Sequence, residues 1–271
     1  MCSPSEHMSP RKSASSPPTG TRSSRDSTRW HHVPHRSSGL VTLLERQLGL
    51  APDAARELVT LGAVSVDGVR VTDDVSVRAG ARVSAHRQPR RFPLAFGDWR
   101  LRPVVDHEEF AVFAKPHGVP TVATADNARE TALAAIEEAV GHRCYVTHRL
   151  DTGAAGLLVV AKNPTAQETL DRLFRDRVVD KGYRALAPVG LAPGHYRHFL
   201  LPGPPPRKAS STAVHGGELA ELAIESARSY VRDRYPKNVA EYSIRLFTGR
   251  THQIRAQMTA LGFALVGDKA Y

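Results

Sequence analysis

Cysteine is scarce in this 271-residue chain: the two present, Cys2 and Cys144, lie far apart. That excludes a disulfide framework and any Cys-x-x-Cys metal motif. Long apolar runs are missing too. No stretch reaches the roughly 20 residues that a membrane-spanning helix needs, and the N-terminus has no apolar core of a secretory signal. A cytoplasmic location with no membrane partner is the expectation. Acidic charge is the third shortage: 27 Asp and Glu stand against 37 Lys and Arg, a net charge of +10. Such an excess favours a polyanionic partner, because each cation placed near a phosphate can release a counterion.

The excess is uneven. Residues 1–38 carry 6 Lys and Arg against 2 Asp and Glu, residues 39–88 carry 6 against 6, and residues 89–271 carry 25 against 19. Residues 1–38 are rich in Ser, Pro, Thr and Arg with almost no aliphatic side chains. They cannot bury enough surface to offset the entropy of ordering, and read as a disordered basic tail.

Residues 39–88 form a compact pattern. Val41, Leu44 and Leu48 fall at helical spacing, and Ala51-Pro52-Asp53 opens a second helix whose apolar face is Ala55, Leu58 and Val59. Gly62 is its expected stop. Apolar and polar residues then alternate around Asp67-Gly68, a strong hairpin signal. Val75, Val77 and Val83, around Ala79-Gly80, predict a further strand pair. Residues 89–104, with three prolines and many arginines, read as a linker.

Beyond it, Glu108–Thr121 reads as a buried strand stopped by Lys115-Pro116 and followed by a glycine-containing loop. Arg129–Gly141 predicts a helix. Leu157–Ala161 is a short apolar run suited to a central strand, and Asn163-Pro164 is a helix start. Lys181-Gly182-Tyr183 opens another strand. Tyr242, Ile244 and Leu246 alternate as one face of a half-buried strand. Thr248-Gly249 turns the chain into a helix striped by Ile254, Met258 and Leu261. Asp151 precedes the central strand among His148, Arg149, Gly153 and Gly156; taken alone, an Asp there is often a turn residue. Arg250, His252 and Arg255 gather at a helix start, where backbone N–H groups and dipole favour an anion. A solvated basic helix start is the plainer alternative.

Taken together, "HRLDTGAAGLLVVAK", "KGYRAL" and "RLFTGRTHQIRAQMTALGFALVGDKAY", in this order, resemble the core motifs of the RluA-type RNA pseudouridine synthases. "AKPHGVPT" is similar to the first strand of the same domain, and the likeness spans about residues 105–271. Residues 39–88 resemble the S4 RNA-binding module, although only Arg46 and Arg56 stand out on its helices. The resemblance implies an α+β fold: a mainly antiparallel catalytic domain preceded by a small S4-like module. It implies that Asp151 is the nucleophile, Tyr183 the active-site tyrosine, and Arg255 the partner of the catalytic carboxylate through a bidentate contact. His148, Arg149, Lys181, Arg250 and His252 would bind the RNA. The reaction would be an isomerisation that transfers no electrons and no group, so neither cofactor nor metal is expected. The partner would be ribosomal RNA first, transfer RNA next, and the chain a monomer.

Two departures stand out. Ala154-Ala155 replace the usual Thr-Ser, and the chain ends at Tyr271, where the family normally adds closing strands; the C-terminal end of the catalytic domain is expected to be missing. Two alternatives stay open on these motifs: a catalytically silent RNA-binding scaffold, and an S4-linked methyltransferase, which would need a Gly-rich loop after an early strand rather than before one.

Overall fold

The structure, a computed structural model, describes residues 28–93, 101–229 and 238–271. It forms two compact units that part at Gln88 and Pro89, with Thr60–Ala63 grouping with the larger. Among the described residues every strand pairing is antiparallel, and helices lie between strands along the chain, so the class is α+β.

The smaller unit runs β1 (Arg29–His32), β2 (Ser38–Gly39), α1 (Leu40–Leu48), α2 (Pro52–Thr60), β3 (Val64–Val66), β4 (Val69–Val71), β5 (Ser76–Val77) and β6 (Val83–His86). One sheet has the order β1-β6-β3-β4; β2 and β5 form a separate pair. Leu40, Leu44, Ala55 and Val59 bury one face of the two helices, as their spacing requires. The β3–β4 hairpin turns at Asp67 (φ 50°) and Gly68 (φ 83°). Two successive positive φ values are what a tight hairpin turn of this hand demands, and Asp-Gly tolerates them.

Three expectations shift here. The disordered tail was drawn to residue 38, yet Arg29–His32 is a strand paired with β6. Low aliphatic content concealed it, because its neighbour supplies the apolar partners Val83 and Ala85. Residues 1–27 of that tail lie outside the described residues. The strand pair predicted around Ala79-Gly80 does not form: Val77 pairs with Ser38, and Val83 with His32 and Val66. Residues 89–104 are not all linker, because Arg90–Phe92 are fastened to the larger unit. Arg90 grips Asp126 through Nε (3.0 Å), Nη2 (2.7 Å) and its backbone N–H (2.8 Å). Arg91 grips Glu130, and Phe92 N donates to the same carboxylate at 2.6 Å. The sequence offered prolines and arginines without showing that two buried acids some 36–39 residues later would hold them. Residues 94–100 lie outside the described residues.

The larger unit continues with β7 (Val105–Asp106), β8 (Phe110–Lys115), α3 (Ala132–Val140), β9 (Tyr145–Val146), β10 (Gly156–Ala161), α4 (Pro164–Arg175), β11 (Lys181–Pro188), β12 (Gly194–Leu200), β13 (Ala209–Ser210), β14 (Glu218–Ser229), β15 (Val239–Leu246) and α5 (Gln253–Ala260). Its first sheet has the order β7-β8-β10-β9, its second β11-β15-β14-β12-β13. Phe113, Leu158 and Val160 pack with Val119 and Ile136 into one core; Leu222, Ile224, Tyr242, Ile244 and Met258 form another. Caps fix the helix starts: Thr131 accepts from Ala134 N and Asn163 from Ala166 N. Gly141, at φ 75°, ends α3 in the left-handed region.

α5 sits on the second sheet through buried amides. Gln253 Nε2 donates to Glu221 O at 3.0 Å and to Gln257 Oε1 at 3.0 Å; Gln257 Nε2 donates to Ala220 O at 3.2 Å. Gln253 Oε1 accepts from Thr248 Oγ1 and Arg250 N, closing the turn before the helix. Satisfied amides with almost no exposure allow few alternative positions for a helix. Arg255 is thereby placed.

Candidate active site

β8 stops at Lys115 because Pro116 has no N–H to extend the ladder. The loop after it runs beside the loop that precedes β10. Gly118 N donates to Thr152 O at 2.8 Å, and His117 Nδ1 lies 2.8 Å from Gly153 O. Thr121 Oγ1 donates to Leu150 O (2.7 Å) and accepts from Leu150 N (3.0 Å). Asp151 therefore follows a residue held through both of its backbone groups. Its own carbonyl accepts from Ala154 N at 2.9 Å. That turn closes through backbone alone, so alanines at 154 and 155 do not undo it.

α5 brings the cation. Arg255 Nη1 lies 3.6 Å from Asp151 Oδ2, and His252 Nε2 lies 3.8 Å from the same oxygen. The fork of the guanidinium points elsewhere. Nε donates to Asp268 Oδ2 at 2.6 Å and Nη2 to Asp268 Oδ1 at 2.9 Å. The expected bidentate contact of Arg255 thus goes to Asp268, and Asp151 receives only the remaining edge. A guanidinium has five N–H donors in a rigid fork, so one carboxylate can align it while another faces its free corner. The Tyr271 ring covers it, with the guanidinium carbon 4.7 Å from the centroid, and Tyr271 Oη lies 3.1 Å from His252 Nδ1. Arg255 holds Asp268 below the ordinary carboxylate range.

Three further groups sense Asp151. Lys115, 1 % exposed, donates to Val119 O at 2.6 Å and Pro116 O at 2.9 Å. Burial pushes its ammonium down to about 8, against the pull of the Asp151 charge. Burial raises the Tyr183 phenol, and Asp151 raises it further. Burial lowers His252, with Asp151 opposing and Arg255 assisting. At neutral pH, Tyr183 is therefore a protonated phenol and His252 mainly a neutral imidazole.

The other sequence-derived residues divide. His148 is turned into the fold: Nε2 accepts from Val159 N at 2.9 Å and the ring stacks on Phe174 at 4.7 Å. Burial pushes it down to about 4, so it offers no charge to a phosphate near neutral pH. Its expected contact with RNA gives way to support of β10. Arg250 is engaged by Leu219 O (3.2 Å) and Glu218 (3.3 Å). Lys181 is lowered by burial and by the charges of Arg177 and Arg250, which marks a local excess of cations. Arg149 is exposed, with its charge bearing on His252. The anion site foreseen at the start of α5 is thus occupied from within, by Asp268 and Asp151. Sequence reasoning passed over Lys115, Thr121, Arg177, Asp268 and Tyr271. Lys115 and Asp268 lay inside the motifs that carried the resemblance, yet nothing in their spacing showed what they would touch.

Residues 109–260 match the family described as RNA pseudouridylate synthase. RNA pseudouridine synthase 6, chloroplastic, of Oryza sativa subsp. japonica is 29% identical over 222 residues, which are 74% of this chain and 46% of that protein. Dual-specificity RNA pseudouridine synthase RluA of Pasteurella multocida is 32% identical over 167 residues, 60% of this chain and 74% of that protein. Human RNA Pseudouridylate Synthase Domain Containing 4 shares the fold at a TM-score of 0.52 and 19% identity, over 66% of this chain and 71% of that one. The chain spans about half the length of the chloroplastic relatives it matches, 46% and 45%.

Proposed function

The chain belongs to the RNA pseudouridylate synthase family, and from that premise we propose that it isomerises uridine to pseudouridine in RNA, with Asp151 as the nucleophile. The observation that carries this reading is the placement of Asp151 on a braced loop, its carboxylate 23% exposed and 3.6 Å from the Arg255 guanidinium.

The chemistry needs one bond broken and one made. The N1–C1′ bond of uridine breaks, the base turns, and a C5–C1′ bond forms. The C5 proton leaves and N1 gains one, so composition is unchanged. A carboxylate can attack carbon when it is ionised and aimed. The Arg255 guanidinium faces the carboxylate, and Asp268 keeps it aligned. The neutral Tyr183 ring would lie against the base, with water taking the C5 proton, since a raised phenol is a poor base at neutral pH. The base is out of reach inside a duplex and must be everted. Arg149, Lys181 and Arg177 would hold the flanking phosphates, a reading supported by the cluster of positive charge around Lys181. Ribosomal RNA is the preferred substrate, from the S4-like character of the smaller unit, with transfer RNA next.

The test is release of tritium from RNA labelled at uridine C5. The wild-type chain should release label; Asp151→Asn should lower the rate by at least about 10³-fold and keep RNA affinity within several-fold. Turnover retained in the variant refutes the nucleophile. A silent RNA-binding scaffold, to which Ala154-Ala155 lend some weight, predicts no release from either, whereas the turn at Asp151 closes through its backbone.

A further inference from the structure

The described part of the smaller unit carries eight Arg against six Asp and Glu, and these charges are sorted in space. Its acids fall in three places: Glu45, Asp53 and Glu57 on the helices, Asp67 in the hairpin turn, and Asp73 and Asp74 before β5. Several are already engaged. Asp53 pairs with Arg56 at 3.0 Å. Asp74 Oδ1 accepts from Val41 N at 3.0 Å. Asp67 accepts from Arg82 N at 2.8 Å and from Arg78 Nη2 at 3.2 Å. By contrast, Thr28–Ser38 and Arg78–Gln88, which carry β1 and β6, contain no Asp or Glu at all.

Strand alternation sends the cations to one face. Val64, Val83 and Ala85 are buried on the core side of the sheet. Ser65, Ser84 and their register partners therefore lie on the other. His31 pairs with Ser84, Ser84 with Ser65, and Ser65 with Arg70, a polar row that crosses all four strands. Arg29 and Arg82 flank the row with the same parity. Both are exposed. Arg82 and His31 line, with His32 and Val33, an open depression of about 530 Å³ at the β1 side of the sheet. Ser65 Oγ and Ser84 Oγ, 2.7 Å apart and half-buried, satisfy each other in this row.

We propose that the solvent face of the β1-β6-β3-β4 sheet is an RNA-docking surface, which holds the phosphate backbone of a strand through Arg29, His31 and Arg82. The argument is charge complementarity: a face with Arg29, His31 and Arg82, and with Asp67 as the carboxylate beside Arg82, on a unit whose helices carry their basic residues beside acids, fits a polyanion. Such a surface binds through counterion release and reads no sequence. The proposal takes only its ligand class from the reading of the larger unit as an RNA enzyme.

The experiment uses the full chain carrying Asp151→Asn, so that binding is measured without turnover. Arg29→Glu combined with Arg82→Glu should weaken binding of a single-stranded RNA by about tenfold or more, and flatten the log–log salt dependence by about one unit or more. Arg46→Glu on α1 should leave the affinity within about twofold, and a thermal melt should find both variants folded. Equal loss from Arg46→Glu, or no loss from the sheet variant, overturns the proposal. So does a sheet face that captures an acidic peptide while RNA affinity is untouched, which would reassign it to a protein partner. Absence of tritium release from the wild-type chain strikes the synthase reading and leaves this binding result standing.

Discussion

The two sides of the candidate site are held in different ways. Asp151 is placed by neutral contacts: Thr121 on both backbone groups of Leu150, and backbone bonds at Thr152 and Ala154. The backbone of Arg255 is set by the buried amides of α5, but its guanidinium is held by charge and ring contacts: the Asp268 fork, the Tyr271 ring and the His252 ring beside Nη1. Neutral bonds of this kind respond little to salt or pH, while a paired guanidinium responds to whatever changes its partner's charge. The carboxylate is thus the fixed reference, and its cation is the adjustable part.

Substitutions can break that contrast. The largest effect is expected from Arg255→Ala, which strips the positive charge from both Asp151 and the buried Asp268. The rate should fall by about 10²-fold or more with RNA affinity little changed; an unaltered rate in single-turnover tritium release removes Arg255 from the chemistry. Asp268→Asn keeps the shape and one acceptor but removes the charge that aligns the fork. A loss of about tenfold to a hundredfold in kcat, with KM nearly constant, is expected, and Asp268→Glu should recover part of it. If KM rises instead, Asp268 acts on RNA binding rather than on alignment.

On the neutral side, Thr121→Val leaves the buried Leu150 N–H and carbonyl without their partner. It should cost about 1–3 kcal/mol of stability, read from denaturant unfolding, and its rate loss should not vary with salt. A strongly salt-dependent loss would mean that both sides are electrostatic. The smallest effect belongs to His148. Its folded value near 4 lies below the ordinary 6.5. The unfolded chain therefore binds a proton first as pH falls, and stability is lost from about 6.5 down to about 4. His148→Gln keeps an acceptor for Val159 N and cannot titrate, so the acid slope should shrink while stability at pH 7 changes little. His198 and His252 are lowered in the same direction, so part of the slope stays. A slope identical to that of the wild type would show that His148 is not the buried neutral group described.

Much of the local structure was legible in the sequence because it rests on short-range rules. Asp67-Gly68 dictates the hairpin, Asn163-Pro164 the start of α4, and Pro116 the end of β8. The nearness of Asp151 and Arg255 was legible only through motif resemblance, because 104 residues separate them. What escaped depends on which partner wins. Nothing in "HQIR" shows that the fork prefers Asp268 to Asp151. Nothing in "THRLD" shows that the His148 ring turns inward to a backbone N–H. In residues 39–88, equal counts of acids and bases concealed their separation onto different faces, which appears only when the strand register is known.

The strap formed by Arg90, Arg91 and Phe92 determines where this polypeptide can be cut. Asp126 and Glu130 are 7% and 6% exposed, and Asn127, fully buried between them, donates to Arg90 O and to Glu130. Burial works to raise both acids, and the hydrogen bonds from the strap hold them low. A shortened polypeptide beginning at Val105, where the motif resemblance starts, would leave two carboxylates without the guanidinium and N–H donors that hold them, and should express poorly or aggregate. One beginning at Pro89 carries its own counter-charges, and is the frame on which a fusion or an excised catalytic fragment should be built.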